Sequence, residues 1–153
     1  MGEVDNLTTI LPEDDAVYVN WGEMWKIPAI EDWIELSDNC YKLWTNNYKN
    51  TEVACLIFFK CKNESERGVF STFMDTKRSE YNEMYDIHIF LPTAGYKFDD
   101  YVTDMGNYGD YWSASLVKDS PGDAWIIYFS AHGVYSREIN RKFGHTVRPV
   151  RSK

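Results

Sequence analysis

The stretch AWIIYFSAHGVYSREIN, residues 124–140, decides the reading of the fold. Residues 124–130 are rich in β-branched and aromatic side chains and read as a strand with Trp125, Ile127 and Phe129 on one side. Ala131, His132 and Gly133 make a tight connection in which glycine supplies a positive φ. Residues 134–140 are the return strand. On it Tyr135, Arg137, Ile139 and Arg141 share one face, and Val134, Ser136, Glu138 and Asn140 share the other. One face must meet the core and the other can meet solvent, so the back of the chain reads as antiparallel β.

Working outward, Gly144 breaks the return strand and residues 145–151 form the last one, with Pro149 marking an edge or an end. Upstream, residues 53–59 are a dense apolar run, short enough for a buried strand. Residues 87–91 form a short apolar strand closed by Pro92, and a further strand is predicted over 69–74. Residues 63–68 read as a turn and 75–86 as an irregular surface excursion. A long loop rich in Tyr, Asp and Gly then runs from Gly95 to Tyr111 and Trp112, and residues 116–123 are loop or strand end. At the front, Pro12 followed by Glu13, Asp14 and Asp15 starts a short helix that stops at Gly22. A second helix begins after Pro28, with Ile30, Trp33, Ile34, Cys40 and Tyr41 near helical spacing. Helices at the front and strands at the back, without alternation, predict an α+β fold. No repeat or linker divides residues 1–153, which read as one domain.

Composition narrows the function. The formal net charge of −8 over 153 residues argues against a nucleic-acid backbone or an anionic membrane as partner. No apolar run approaches the roughly 18 residues of a membrane helix, and MGEVDNLTTILPEDD lacks the basic and apolar segments of a signal peptide. Cys40, Cys55 and Cys61 have no zinc-motif spacing and read as three buried thiols, with one disulfide plus a free thiol as the alternative. Nucleophile-elbow, zincin, phosphate-loop and EF-hand motifs do not occur, and His88, His132 and His145 stand in separate contexts. The pairs Asp14–Asp15 and Asp99–Asp100 lack calcium-loop spacing and read as solvated surface. The sequence therefore predicts no catalytic residue, no metal and no cofactor. What it does offer is a polar and aromatic surface on the β part, of the residue types that binding surfaces favour.

Four blocks in this order carry a family resemblance: LPEDDAVYVNWGEMWKIPAIEDWIEL (residues 11–36), IFLPTAGY (89–96), GDYWSAS (109–115) and FGHTVRPVR (143–151). Together they closely resemble the Fibrobacter succinogenes major paralogous domain. That family looks like a branch of the C-type lectin-like fold, near the formylglycine-generating-enzyme type and the variable proteins of diversity-generating retroelements. The resemblance implies two helices packed on a small twisted antiparallel sheet with long loops. It also implies framework roles. Trp25 with Pro28 would lock the turn between the helices, Trp112 would anchor the long loop, and Gly144, Arg148 and Pro149 would close the domain on its last strand. Three departures stand out. Ala29 occupies a position usually held by Thr, residues 62–86 read as an insertion, and the EPN, QPD and WND calcium signatures are absent, as are the paired cysteines of the formylglycine-generating enzymes. The resemblance thus implies neither calcium-dependent sugar binding nor that oxidase activity.

The resulting expectation is a non-enzymatic, extracellular ligand-binding or adhesion module of the kind found on secreted or surface lipoproteins of gut Bacteroidetes. Its ligand would be a protein or glycan on another cell or phage, with no nucleic acid and no membrane insertion, and oligomerisation is left open. Tyr108, Tyr111, Lys118, Tyr135, Ser136, Arg137, Asn140 and Arg141 are the expected contacts, with Tyr and Arg as anchors and Ser136 and Asn140 as adaptable partners. A sharper form has the C-terminal strands diversified by a retroelement. The rival from another class is a structural cell-envelope or pilus-tip subunit. A third reading, a hydrolase or lyase, would use Asp99, Asp104 and Asp110.

Overall fold

The computed structural model describes residues 6–72 and 87–152. Residues 75–86 of the expected surface excursion, and the end of the strand predicted over 69–74, lie outside them. Among the described residues the architecture is α+β, with two α-helices and four small sheets.

Asp15 organises the front of the chain. Pro12–Asp14 form a single 3-10 turn, and Asp15 then takes an extended conformation, so the one helix expected from Pro12 becomes a turn followed by α1, Ala16–Trp21. The buried Asp15 carboxylate caps α1 by accepting from Val17 N at 2.8 Å and Tyr18 N at 3.2 Å. Its other oxygen accepts from Ile27 N at 2.9 Å, which ties α1 to the approach of the next helix. Gly22, with φ 89°, ends α1.

The second helix, α2, spans Ile30–Asn39. Ala29 offers no side-chain cap, as expected, and two other groups take over. Asp32 Oδ2 accepts from Ala29 N at 2.9 Å, and the Ser115 hydroxyl accepts from Ile30 N at 3.0 Å. The second bond fixes the start of α2 on the strand that carries Ser115. The helix does not continue through Cys40 and Tyr41. These residues open strand β2, Cys40–Thr45, because both faces of that strand are covered and a fully buried strand carries no alternation to separate it from a helix.

β2 lies in a mixed sheet between β3 (Cys55–Lys60) and β4 (Phe70–Thr72), with β5 (His88–Pro92) on the far side of β3. β4 runs parallel to β2 and the other pairs are antiparallel. The loop expected to run from Gly95 to Tyr111 and Trp112 ends earlier, because a strand begins at Gly109, and it contains a small hairpin, β6 (Tyr96–Phe98) and β7 (Tyr101–Thr103). Three long strands follow as an antiparallel sheet: β8 (Gly109–Leu116), β9 (Asp123–Ser130) and β10 (Gly133–Asn140), with β9 in the middle. Ile30 and Trp33 of α2, Leu56 and Phe58 of β3, Leu91 of β5, Tyr111 of β8, and Ile127 and Phe129 of β9 form the main core. A second cluster on the other face of the mixed sheet holds Tyr41, Leu43, Cys55, Ile57 and Phe59.

The expected framework residues divide. Pro28 is fully buried, and its carbonyl accepts from Ala114 N at 2.8 Å. Trp25 is partly exposed and packs edge-on to Trp21, so the tryptophan that locks α2 to the core is Trp33, whose indole N–H donates to the Trp112 carbonyl at 3.4 Å. The last strand is shorter than expected. Only Val150–Arg151 is extended, as β11, pairing with β1 (Trp25–Lys26), while Arg148 is exposed and Pro149 lies outside the strand. β10 ends at Asn140, four residues before Gly144, which instead bridges to Lys97. Cys55 is buried as expected, and burial pushes its thiol up to about 12, but Cys40 and Cys61 are only partly covered.

Candidate functional site

The hairpin β9–β10 closes through two residues, Ala131 and His132, with Ser130 opposite Gly133. Its register continues to Arg141, whose N–H donates to the Gly122 carbonyl at 2.8 Å. That bond shows which residues exchange hydrogen bonds with β9. They are the odd-numbered ones, and the N–H and C=O groups of Val134, Ser136 and Glu138 point away from β9. No group of the described residues pairs with those outward amides and carbonyls, so β10 is an open edge strand.

The two faces of β10 differ. Val134, Ser136 and Glu138 stand opposite Phe129, Ile127 and Trp125, on the side that α2 covers. There the groove between α2 and β10, of about 360 Å³, is lined by Trp33, Ile34, Asp38, Val134, Tyr135 and Ser136 among others. On the second face Tyr135 stands opposite Tyr128, Arg137 opposite Ile126, and Asp110 of β8 opposite Tyr128. The Arg137 guanidinium lies 4.6 Å from the Tyr128 ring centre, and Nη2 stands 3.6 Å from Asp110 Oδ1. Tyr135 packs 5.4 Å from Tyr128 and its hydroxyl donates to the His132 carbonyl at 3.2 Å. Arg137 is thus half exposed but held from two sides, and among the described residues none of its N–H groups makes a hydrogen bond.

Two buried polar side chains lie beneath it. Asp110 is 1% exposed and neither carboxylate oxygen has a hydrogen-bond partner among the described residues; both ring nitrogens of the buried His145 are likewise unpartnered. Parallel bridging of Tyr111 to Thr146 puts Asp110 and His145 side by side in register. Burial raises the Asp110 carboxyl above the usual carboxylate range, with Asp104 adding to the rise and Arg137 opposing it. Burial and then Arg137 lower His145 to about 4, so it is neutral at physiological pH. The ring of His145 contacts Trp112 at 4.6 Å and Tyr96 at 5.6 Å, which places Trp112 in a packing role at the end of the long loop. Among the described residues no three His, Cys, Asp or Glu side chains converge as a metal site.

Of the expected contacts, Tyr135 and Arg137 come together on the second face, and Tyr108 is exposed at the entry to β8. Ser136 faces the groove instead. Lys118, Asn140 and Arg141 gather at the opposite end of the hairpin: Lys118 is exposed in the turn after β8, Asn140 Nδ2 donates to Asp123 Oδ1 at 3.2 Å, and Arg141 Nη1 donates to the Pro121 carbonyl at 3.4 Å. Tyr111 is a correction. It is 1% exposed, its hydroxyl donates to the Pro92 carbonyl at 2.9 Å, and its ring packs between Trp33 and Phe129, so it is core and touches no ligand. The sequence reading missed Asp110 and Tyr128 as supports for Arg137. The meeting depends on the register of β8, β9 and β10, which no local stretch of sequence signals.

Residues 44–150 match the family model described as Domain of unknown function (DUF8237), and the chain belongs to that family. Comparison with curated proteins and with solved structures gave no match.

Proposed function

We propose that this member of the DUF8237 family is a non-enzymatic ligand-binding module, displayed outside the cell on a C-type lectin-like scaffold. The support for the scaffold is the four sequence blocks together with the α+β arrangement of two helices and small, mostly antiparallel sheets. One observation carries the binding reading: the half-exposed Arg137 guanidinium, aimed by Tyr128 and Asp110 beside the exposed Tyr135, with its donors unspent among the described residues. A pre-oriented guanidinium next to an aromatic ring loses little side-chain entropy on binding, which is the pattern of an energetic anchor. No described helix is long and apolar enough to cross a membrane.

The test is a glycan array combined with capture of surface proteins, run with and without EDTA, on the wild type and on Tyr135→Ala/Arg137→Ala. The expected result is a ligand retained regardless of EDTA and lost at least tenfold by the double variant while that variant is still folded. Retention within about 1 kcal/mol by the double variant places the site elsewhere.

A second reading, a subunit of a cell-envelope assembly, is favoured by the β6–β7 hairpin and the turn after it. There Tyr101, Val102 and Met105 are 76%, 63% and 73% exposed, an apolar surface of the kind partners cover. Light scattering separates the two, because this reading expects a stable oligomer in which those residues are protected.

A further inference from the structure

We propose that the ligand of this surface is an extended peptide segment that adds as a strand to the open edge of β10. The proposal rests on the binding reading above and names its partner.

Three independent features of β10 converge on this. First, Val134, Ser136 and Glu138 present N–H and C=O groups that are unpaired among the described residues, at the spacing of a β-ladder. That row is complementary to another extended backbone and to no sugar or aromatic ligand in particular. Second, the same edge is flanked on its α2 side by the groove of about 360 Å³, with the apolar Ile34 and Val134 among its lining residues. Third, the other side of the edge carries Tyr135 and Arg137, the latter held in place by Tyr128 and Asp110.

Residues directly opposite one another in an antiparallel pair share a face. The incoming strand therefore has a definite pattern. Its residues opposite Val134 and Ser136 enter the groove and are apolar. The residue opposite Arg137 is acidic, the one opposite Tyr135 is aromatic or β-branched, and the one opposite Glu138 is basic. Arg137 and Glu138 have a second effect. Exposed charges on an edge discourage indiscriminate pairing, so they select among incoming strands rather than merely blocking them. A second copy centred on Arg137 would set two guanidiniums against each other, which disfavours that register of self-pairing.

The probes are two sets of synthetic ten-residue peptides of equal composition, one carrying this pattern antiparallel to β10 and one shuffled, titrated by fluorescence polarisation. The patterned set is expected to bind at least tenfold more tightly. Binding should fall at least tenfold with Ser136→Pro, which removes an amide facing away from β9 and leaves the β9 ladder whole. Peptides N-methylated at the amides that face β10 should lose binding equally, and this control leaves the protein untouched if Ser136→Pro fails to fold. Equal binding of the two sets, or N-methylated peptides binding as well as their parents, overturns strand addition. If no peptide binds while Tyr135→Ala/Arg137→Ala still abolishes retention of a glycan in the screen above, edge pairing fails and the binding reading stands. If that double variant also retains its ligand, both fail. A concentration-dependent dimer that excludes the peptides through β10 likewise overturns it in favour of self-association.

Discussion

β3 and β10 are both regular strands in antiparallel partnership, yet they have opposite duties. Cys55 to Phe59 of β3 are 0 to 1% exposed, walled by α2 and the β8–β9 sheet on one side and by the Tyr41 cluster on the other. Among the described residues β10 has one partner strand, an open edge and four consecutive exposed residues from Tyr135 to Glu138. The contrast teaches where substitution is affordable. Folding is carried by the mixed sheet, by β8 and β9 and by the caps of α2, while β10 adds only one neighbour to an already complete core.

The strongest way to break that contrast is to injure the frame. Phe58→Ala should lower stability by about 3–5 kcal/mol, read by denaturant melting, because the rings and aliphatic groups around it cannot close the void. Gly109→Val should be comparably damaging, since a Cβ there would stand 2.1 Å from the Phe129 ring, and its measured loss tests how rigidly β8 abuts β9.

Next in size is a pH effect. His145 sits at about 4 in the fold against 6.5 for an ordinary imidazole, so the unfolded chain takes up the proton first. Stability from this group is full above about pH 6.5 and is lost as pH falls toward 4, by about 2 kcal/mol at pH 5. Asp110 opposes the trend, because its raised carboxyl gains a proton in the fold before it does in the unfolded chain, and Arg137 and Asp104 are the charges that act on this pair. His145→Phe should therefore show a smaller loss between pH 7 and pH 5 than the wild type in paired chemical melts. An identical loss would remove His145 from the account of acid sensitivity. A smaller effect follows for Tyr111→Phe, about 1–2 kcal/mol from stranding the Pro92 carbonyl, with no change in ligand retention. Smallest of all, Tyr135→Ala should change stability by less than about 0.5 kcal/mol, with Arg137→Ala costing more because it removes the cation beside the buried Asp110.

The same contrast explains what the sequence made legible. The β9–β10 hairpin was readable from its β-branched and aromatic run, its glycine turn and the polar residues of β10: Trp125, Ile127 and Phe129 share the side that meets the main core, as predicted, while Ile126 on the other side of β9 is buried as well. β2 was not, because Lys42 is drawn into the interior, where its ammonium donates to the carbonyl and hydroxyl of Ser37, and the strand shows no clean alternation. Tyr111 was misjudged because an aromatic with a hydroxyl serves equally well in a core or on a surface, and only its distant acceptor on Pro92 decides. The support of Arg137 by Asp110 and Tyr128 spans three strands, and no local pattern encodes such a meeting. The cap of Ile30 by Ser115 joins residues 85 apart and was equally hidden.

The most direct test of this division of labour is saturation mutagenesis of residues 55–59 and 135–138 in one library, scored by resistance to proteolysis. The expected result is that 135–138 accept most side chains, proline at outward-facing amides included, while 55–59 accept only apolar residues of similar volume. Equal intolerance in the two segments would contradict it, since β10 would then be part of the frame and not free to grip a partner.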